Sequence, residues 1–291
     1  MLVKANAKIN LSLNITGKLE SGYHSVDMIM QSISLADDVY VNIANGSGIT
    51  LTANNSMIPC DERNTAYKAA DIFFKELGKE AAVTIRINKN IPSQAGIAGG
   101  SADAAAVFIA LNELCGRPFS TNCLCEMSKG VGADVPFCIT GGTCKAYGTG
   151  TDIEKIDDLP DCVILLCKPP INISTPVAYK LCDDFGFERE RMNTKNIIGG
   201  LKADNLFTVT SNLYNKFEEV LNLSVVENIK DTMLAYGALG ALMSGSGPTV
   251  YGIFSKSDFA ALEMCKAKLN ERFDMIYTAF PEKAGCIVIN E

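Results

Sequence analysis

A single histidine, His24, is all the imidazole that 291 residues supply, and its scarcity removes several chemistries at once. A Ser-His-Asp or Cys-His hydrolase would have to use it, yet no Gly-x-Ser-x-Gly elbow is present and Gly245-Ser246-Gly247 has the wrong spacing. No Cys-x-x-Cys pair occurs among the 11 cysteines, and Cys123 and Cys125 stand only two apart, so zinc has almost no ligands and no metal-binding residue is expected. There is no block of basic residues and the formal net charge is -7, which removes the electrostatic footprint of a nucleic-acid binder. Long apolar runs are missing as well: each is broken by Gly, Ser, Lys or Asp before the roughly 20 residues that span a membrane, and no charged segment followed by an apolar one opens the chain. Neither export nor membrane insertion is expected. Cys138, Cys162 and Cys167 sit inside apolar strings as small hydrophobes do, which suits a reducing cytosol, so the expected location is cytoplasmic.

What remains is a chain whose apolar content of 47% can bury a sizeable core, and which at roughly 150 residues per domain is long enough for two. From Val3 to Ile15 the odd positions are apolar and the even ones polar, which predicts a strand with Lys4, Asn6, Lys8, Asn10 and Ser12 on a solvent face. Val83, Ile85 and Ile87 predict a second strand, followed by a glycine-rich loop and a helix over Ala102 to Leu114 that Gly116 and Pro118 close. Helices are also expected over Ala66 to Leu77 and Asn122 to Lys129, and strands over Cys162 to Cys167 and Thr249 to Phe254. The acidic stretch Thr151 to Pro160 is the best candidate boundary, giving domains at 1–155 and 156–291. No repeat or low-complexity tract is present, and strands mix with helices without the alternation of a doubly wound sheet. The predicted fold class is α+β, in two domains.

The loop Gly96-Ile97-Ala98-Gly99-Gly100-Ser101 stands directly before a helix, where unpaired N–H groups and the positive end of the macrodipole suit a phosphate. Its glycines let the backbone approach an anion, and Ser101 serves either as N-cap or as a hydroxyl donor. It has neither the Gly-Lys-Ser/Thr ending of a Walker loop nor the Gly-x-Gly-x-x-Gly pattern. By itself the segment is equally a tight turn ahead of a capped helix.

Three strings in order widen the context: Ala-Lys-Ile-Asn-Leu at Ala7 to Leu11, Pro-x-x-Ala-Gly-x-x-Gly-Gly-Ser-Ala-Asp-Ala-Ala at Pro92 to Ala105, and Gly-Ser-Gly-Pro at Gly245 to Pro248. Together they resemble the GHMP kinases. Gly22-Tyr23-His24, Gly132 to Phe137 and Ser174 to Val177 are similar to the branch of that family whose substrate carries a cytidine, and the resemblance covers nearly the whole chain. It implies a two-domain fold with the active site in the cleft between domains, and ATP with Mg2+ as cofactors. It further implies a small-molecule substrate, 4-(cytidine 5'-diphospho)-2-C-methyl-D-erythritol, phosphorylated on its 2-hydroxyl in isoprenoid precursor formation. No nucleic-acid or membrane partner is implied, and the expected state is a monomer or weak homodimer. The rivals are another GHMP enzyme, such as homoserine or mevalonate kinase, and a nucleotide-binding regulator without catalysis. Gly22-Tyr23-His24 with Tyr179 speaks against the first, and retention of both Lys8 and Asp134 against the second.

Residue by residue, the resemblance makes Asp134 the general base and Lys8 the cation that steadies negative charge on the attacking oxygen. Each has an ordinary alternative, a solvated strand lysine and a helix N-cap. Pro92, Ala95, Gly96, Ile97, Ala98, Gly99, Gly100 and Ser101 would form the ATP phosphate loop, and Asn64 would lie near the adenine or equally cap the helix after it. Asn10 would reach the substrate, or else belong to an exposed face. Tyr23 and His24 would hold the cytosine, Tyr179 would stack on it from the other side, and Thr175 would touch the substrate phosphates or cap its loop. Lys89 would lie near the nucleotide or, more simply, in solvent. Gly245 to Gly247 would face the phosphate loop as backbone donors, or merely turn the chain. The sequence departs from the family at Ala98, where a third Gly is general, at Ile97 in place of Leu, and at Tyr147 to Gly150, where an Arg and a later Glu are common.

Overall fold

The computed structural model describes residues 1–187 and 192–289. The N-terminal alternation becomes β1 (Leu2–Lys18), which turns into the long strand β2 (His24–Ala44). The two pair antiparallel along almost their full length, with register shifts after Asn6, Asn10 and Ile15. Irregularities of this kind bend a strand and re-aim its side chains beside a site. Next come β3 (Gly48–Ala53), α1 (Thr65–Leu77) and β4 (Ala82–Asn88), which pairs antiparallel with β2 and parallel with β3. They are followed by α2 (Gly99–Leu114), α3 (Thr121–Ser128), α4 (Val135–Thr140) and the hairpin β5 (Thr143–Gly148) to β6 (Asp152–Lys155), whose β5 joins β2. Helix α2 is enclosed nearly all round, with Ala102 to Phe108, Ala110 and Leu111 buried. Its alanines let it sit close against α1, α4 and the first two strands. Each large side chain fully buried here, such as Phe73, Phe108 and Phe137, contributes about 1.5–3 kcal/mol.

The rest of the chain builds a second sheet. After β7 (Val163–Lys168) come α5 (Thr175–Phe185), α6 (Met192–Lys202), α7 (Leu206–Thr210), β8 (Tyr214–Asn215), α8 (Lys216–Leu221) and α9 (Ser224–Ala235). Then follow β9 (Gly240–Met243), β10 (Val250–Phe254), α10 (Phe259–Asn270), β11 (Met275–Ala279) and β12 (Cys286–Ile289). This sheet runs β11-β7-β10-β9 and is antiparallel throughout. Strands β8 and β12 return instead to the first sheet and pair with β1; the mixed α and β class is the one expected. No helix among the described residues is long and apolar enough to cross a membrane.

The predicted solvent face of β1 is a correction. Asn6, Lys8, Asn10 and Ser12 are buried, and only Lys4 is exposed. The reason is tertiary: the Asn6 amide donates to Ala284 O, Tyr251 donates its hydroxyl to Asn10 O at 2.8 Å, and Ser12 meets Thr194 at 3.3 Å. The second half of the chain covers the face that alternation alone assigns to water.

Candidate active site

Strand β4 leads through Lys89 and Ile91 into the glycine-rich loop. Ala98 is the N-cap of α2 in the left-handed region, φ 61°, which costs an L-residue about 1–2 kcal/mol. Gly99, Gly100 and Ser101 therefore form the first turn of the helix rather than preceding it, and Ser101 is not the N-cap. Its hydroxyl lies beside Gly132, on the loop that carries Asp134. No acidic residue stands in that first turn, so its N–H groups are available to an anion. Gly96 is required by close approach: a Cβ there would lie 2.3 Å from Ser244 O and 2.9 Å from the Gly247 nitrogen. The loop is fastened on both sides, by Ser244 Oγ donating to Gly96 O at 3.0 Å and by the Lys8 N–H donating to Ile97 O at 3.1 Å. The turn Gly245–Gly247 thus packs directly on the glycine-rich loop.

Beyond that bond lies the Lys8 side chain. Its ammonium is 2.7 Å from Asn10 Oδ1 and 3.5 Å from Asp134 Oδ2. Asp134 occupies the N-cap position of α4 but makes no capping hydrogen bond, which leaves its carboxylate, 30% exposed, turned to the cleft. Asn10 is fully buried and rests its amide on Met28 Sδ at 3.5 Å. Arrangement of an oxygen base and a buried cation at one edge of an anion-binding turn is what phosphoryl transfer to a hydroxyl requires.

One cleft of about 660 Å³ joins these groups. Of the sequence-predicted residues, Lys8, Asn10, Asn64, Pro92, Ala95, Gly96, Ala98, Gly99, Gly100, Ser101, Asp134, Thr175 and Tyr179 line it, while Ile97, Tyr23 and His24 do not. Ile97 is in the core, 1% exposed. Asn64 caps α1, accepting from Ala66 N and donating to Pro59 O, and does so on the cleft wall. Thr175 Oγ1 meets Ser246 Oγ at 2.8 Å, linking α5 to the glycine turn. Leu13, Val26, Met28 and Phe217 also line the cleft; alternation assigns Leu13 to the face opposite Lys8 and Asn10, from which a register shift separates it, and Phe217 has no local signal.

Lys89 is a second correction. It is not in solvent: its side chain is 5% exposed, donating to Asp37 and, at 2.7 Å, to Asp103. Burial pulls the ammonium down, and the two carboxylates outweigh it and hold it above its ordinary value. Asp103 is pushed up to about 7 chiefly by burial, because one cation does not balance two acids in a dry site, and its Oδ1 has no partner. Asp37 also accepts the N–H groups of Asn90 and Ile91. The cluster fixes the chain entering the loop, and a Cβ at Gly99 would come within 3.3 Å of the Lys89 nitrogen.

On another part of the cleft wall Tyr179 stacks on His24, their centroids 4.6 Å apart. No base fits between them, so one that stacks on Tyr179 enters beside His24. Tyr23 is 69% exposed at the β1–β2 turn. Burial, then the charge of Asp134, pushes the Tyr179 hydroxyl up to about 12.

The two-sheet fold and this cleft define the class: the chain belongs to the GHMP kinase family, whose N-terminal domain matches residues 64–142 and whose C-terminal domain matches residues 211–273. Among its relatives, 4-diphosphocytidyl-2-C-methyl-D-erythritol kinase of Clostridium tetani is 41% identical over 279 residues, covering 95% of this chain and 98% of that one. The enzyme of the same name from Caldicellulosiruptor saccharolyticus is 40% identical, covering 88% of each. A crystal structure of 4-(cytidine 5'-diphospho)-2C-methyl-D-erythritol kinase superposes with a TM-score of 0.79 at 28% identity, covering 97% of this chain and 99% of that one. Homoserine kinase from Cytophaga hutchinsonii superposes at 0.78 with 20% identity, over 99% and 97% of the two chains, and shares the fold.

Proposed function

We propose that this protein transfers the γ-phosphoryl group of ATP to the 2-hydroxyl of 4-(cytidine 5'-diphospho)-2-C-methyl-D-erythritol, a step of the non-mevalonate route to isoprenoid precursors. The observation that carries the reading is the convergence of Lys8 and Asp134, 3.5 Å apart, beside the glycine-rich loop in a cleft that Tyr179 also lines. Asp134 accepts the proton of the 2-hydroxyl as its oxygen bonds to the γ-phosphorus and the bond to the β-phosphate oxygen breaks, releasing ADP. The Lys8 ammonium, oriented by Asn10, steadies the charge on the attacking oxygen. The first-turn N–H groups of α2 and the Gly245–Gly247 turn hold the transferred phosphates from two sides.

Among the described residues no three His, Cys, Asp or Glu side chains gather as a metal cage. The Ser101 hydroxyl and the Asp134 carboxylate, hard oxygen donors on the cleft wall, would hold magnesium brought with ATP. When bound, the ion would neutralise charge on the β- and γ-phosphates.

The test is a transfer assay with labelled ATP against the cytidyl substrate, homoserine and mevalonate. Transfer to the first is expected. Transfer to either of the others alone would leave a GHMP kinase of different specificity, and no transfer to any would favour a nucleotide-binding regulator.

A further inference from the structure

Asn215 ends β8 and caps α8, and its side chain is buried. Its Oδ1 accepts the Phe217 N–H at 3.0 Å, which is all that a helix cap does. Its amide nitrogen donates both hydrogens elsewhere, to Met243 O at 2.7 Å and, 30 residues along the chain, to Gly245 O at 2.8 Å. Ser, Thr or Asp would cap α8 as well, but among the usual capping residues only asparagine accepts at one end and donates two hydrogens at the other. The second carbonyl belongs to the glycine turn. There a Cβ on Gly245 would lie 2.8 Å from Gly96 O and 3.6 Å from Asn10 Oδ1, the atom that holds the Lys8 ammonium. Ser246 lines the cleft, and its N–H has no hydrogen-bond partner among the described residues, whereas the Gly247 N–H closes the turn on Ser244 O at 2.9 Å.

We infer that Asn215 is a positioning residue for phosphoryl transfer: by holding Gly245 O it fixes the peptide between Gly245 and Ser246 with the Ser246 N–H turned to the phosphates of ATP. The inference rests on the reading that the glycine turn takes those phosphates. The peptide is planar and trans, so its C=O and N–H point in opposite directions, and an oxygen anchored on Asn215 sends the N–H the other way. Gly245 stands at φ 56° without a side chain, so rotation of this peptide meets little resistance from the turn itself. Asn215 supplies the hold from outside and acts on ATP only through the backbone. An N–H set in place before ATP arrives needs no reorganisation when charge builds on the transferred group.

The test is Asn215→Asp, which keeps the size of the side chain and still accepts the Phe217 N–H. As a carboxylate it sets oxygen against Met243 O and Gly245 O and attracts the Ser246 N–H, so the peptide should turn over. The KM for ATP, as a ratio to wild type at each pH, should rise about tenfold or more at about pH 8, the weight of one hydrogen bond to a charged group. It should fall back toward the wild-type value at about pH 6: burial among carbonyl oxygens, beside Glu218 which takes the Met243 N–H, raises the new carboxyl, and the protonated acid donates again. Asn215→Ser, which caps α8 but neither ionises nor reaches both carbonyls, should raise the ratio alike at both pH values. The KM for the acceptor substrate should stay within about twofold in both variants. A purely structural cap predicts less folded protein, hence a lower apparent kcat with the ATP KM unmoved. That result in either variant, an equal rise in KM for both substrates, or no relief of Asn215→Asp at the lower pH overturns the inference. One readout uses the wild type and does not depend on how the variants fold: with a non-hydrolysable ATP analogue the Ser246 amide signal of nitrogen-15 protein should move downfield, and an unmoved signal overturns the inference too. A wild type that transfers phosphate to none of the three acceptors fails the proposed function itself, and the inference with it.

Discussion

Lys8 and Lys89 lie under the same phosphate loop and are equally buried, each side chain 5% exposed, yet their surroundings are opposite. Lys89 touches two buried carboxylates where it borders the cleft. Lys8 has an amide oxygen at 2.7 Å and a single, partly exposed carboxylate at 3.5 Å. Under the proposed function, Lys8 is the under-paired cation that would meet charge arriving during the reaction, whereas Lys89 is paired to excess. The same residue type at the same depth serves chemistry or architecture according to how completely its neighbours neutralise it.

Substitution breaks the comparison where it is most lopsided. Lys89→Met should remove about 3–5 kcal/mol of stability in urea unfolding, because Asp37 and Asp103 are then left buried without a counter-charge. A loss no greater than that of a surface lysine would mean that the cluster is not the dry site described here. Its pH dependence follows from Asp103, whose folded pKa of about 7 lies above the ordinary carboxylate value of 3.8. The folded state binds more protons between these values, so this group's contribution to stability is greatest below about 4 and declines as pH rises toward 7. Asp103→Asn should flatten that slope in melting temperatures taken across the range, and an unchanged slope would assign the proton elsewhere.

On the other side, Lys8→Met and Asp134→Asn should each lower kcat by about a hundredfold or more, near 3 kcal/mol in barrier. Their cost in stability should stay below about 1 kcal/mol, since the pair is long and one partner is partly exposed. ATP dissociation constants, measured by calorimetry, should remain within about severalfold of wild type, because the phosphates are held mainly by backbone. Near-normal turnover in a folded Asp134→Asn protein would remove the general base.

These two lysines also mark how far the sequence can be read. Lys8 lies in a strictly alternating strand and beside motifs whose order points to phosphoryl transfer, so its strand, its loop and its partner Asp134 are all legible. Alternation says which residues share a face and nothing about what covers that face, which is why the buried stripe of β1 reads as solvent. Lys89 was beyond reach for a different reason: its partners lie 52 residues before it and 14 after it, and only the pairing of β2 with β4 and the docking of α2 unite them. Strand β2 itself is obscured because Asp37 and Asp38 interrupt its apolar pattern, and the first is there to serve Lys89. The start of α2 at Gly99 instead of Ala102 hides behind glycines that read as loop.

The smallest effect is expected where the chain departs from its family, at Ala98. Its φ of 61° is a conformation that glycine adopts freely and alanine at a cost of about 1–2 kcal/mol. Ala98→Gly relieves that strain, but it also loosens the unfolded chain, which opposes the gain by about 0.4–1 kcal/mol. The difference leaves about 0–1.6 kcal/mol, so urea unfolding should register a small change on the stabilising side. ATP affinity should change little if, as proposed, the phosphates meet the first-turn N–H groups of α2, which belong to residues after Ala98. Gly99→Val supplies the contrast within the same loop: its Cβ would press on Ile91 at 3.0 Å and on the Lys89 nitrogen at 3.3 Å, disturbing the structural lysine and the phosphate site together. If Ala98→Gly instead weakened ATP binding as much as Gly99→Val does, loop stiffness rather than room for the backbone would govern the phosphate site, and the separation between the paired and under-paired sides of the loop would fail.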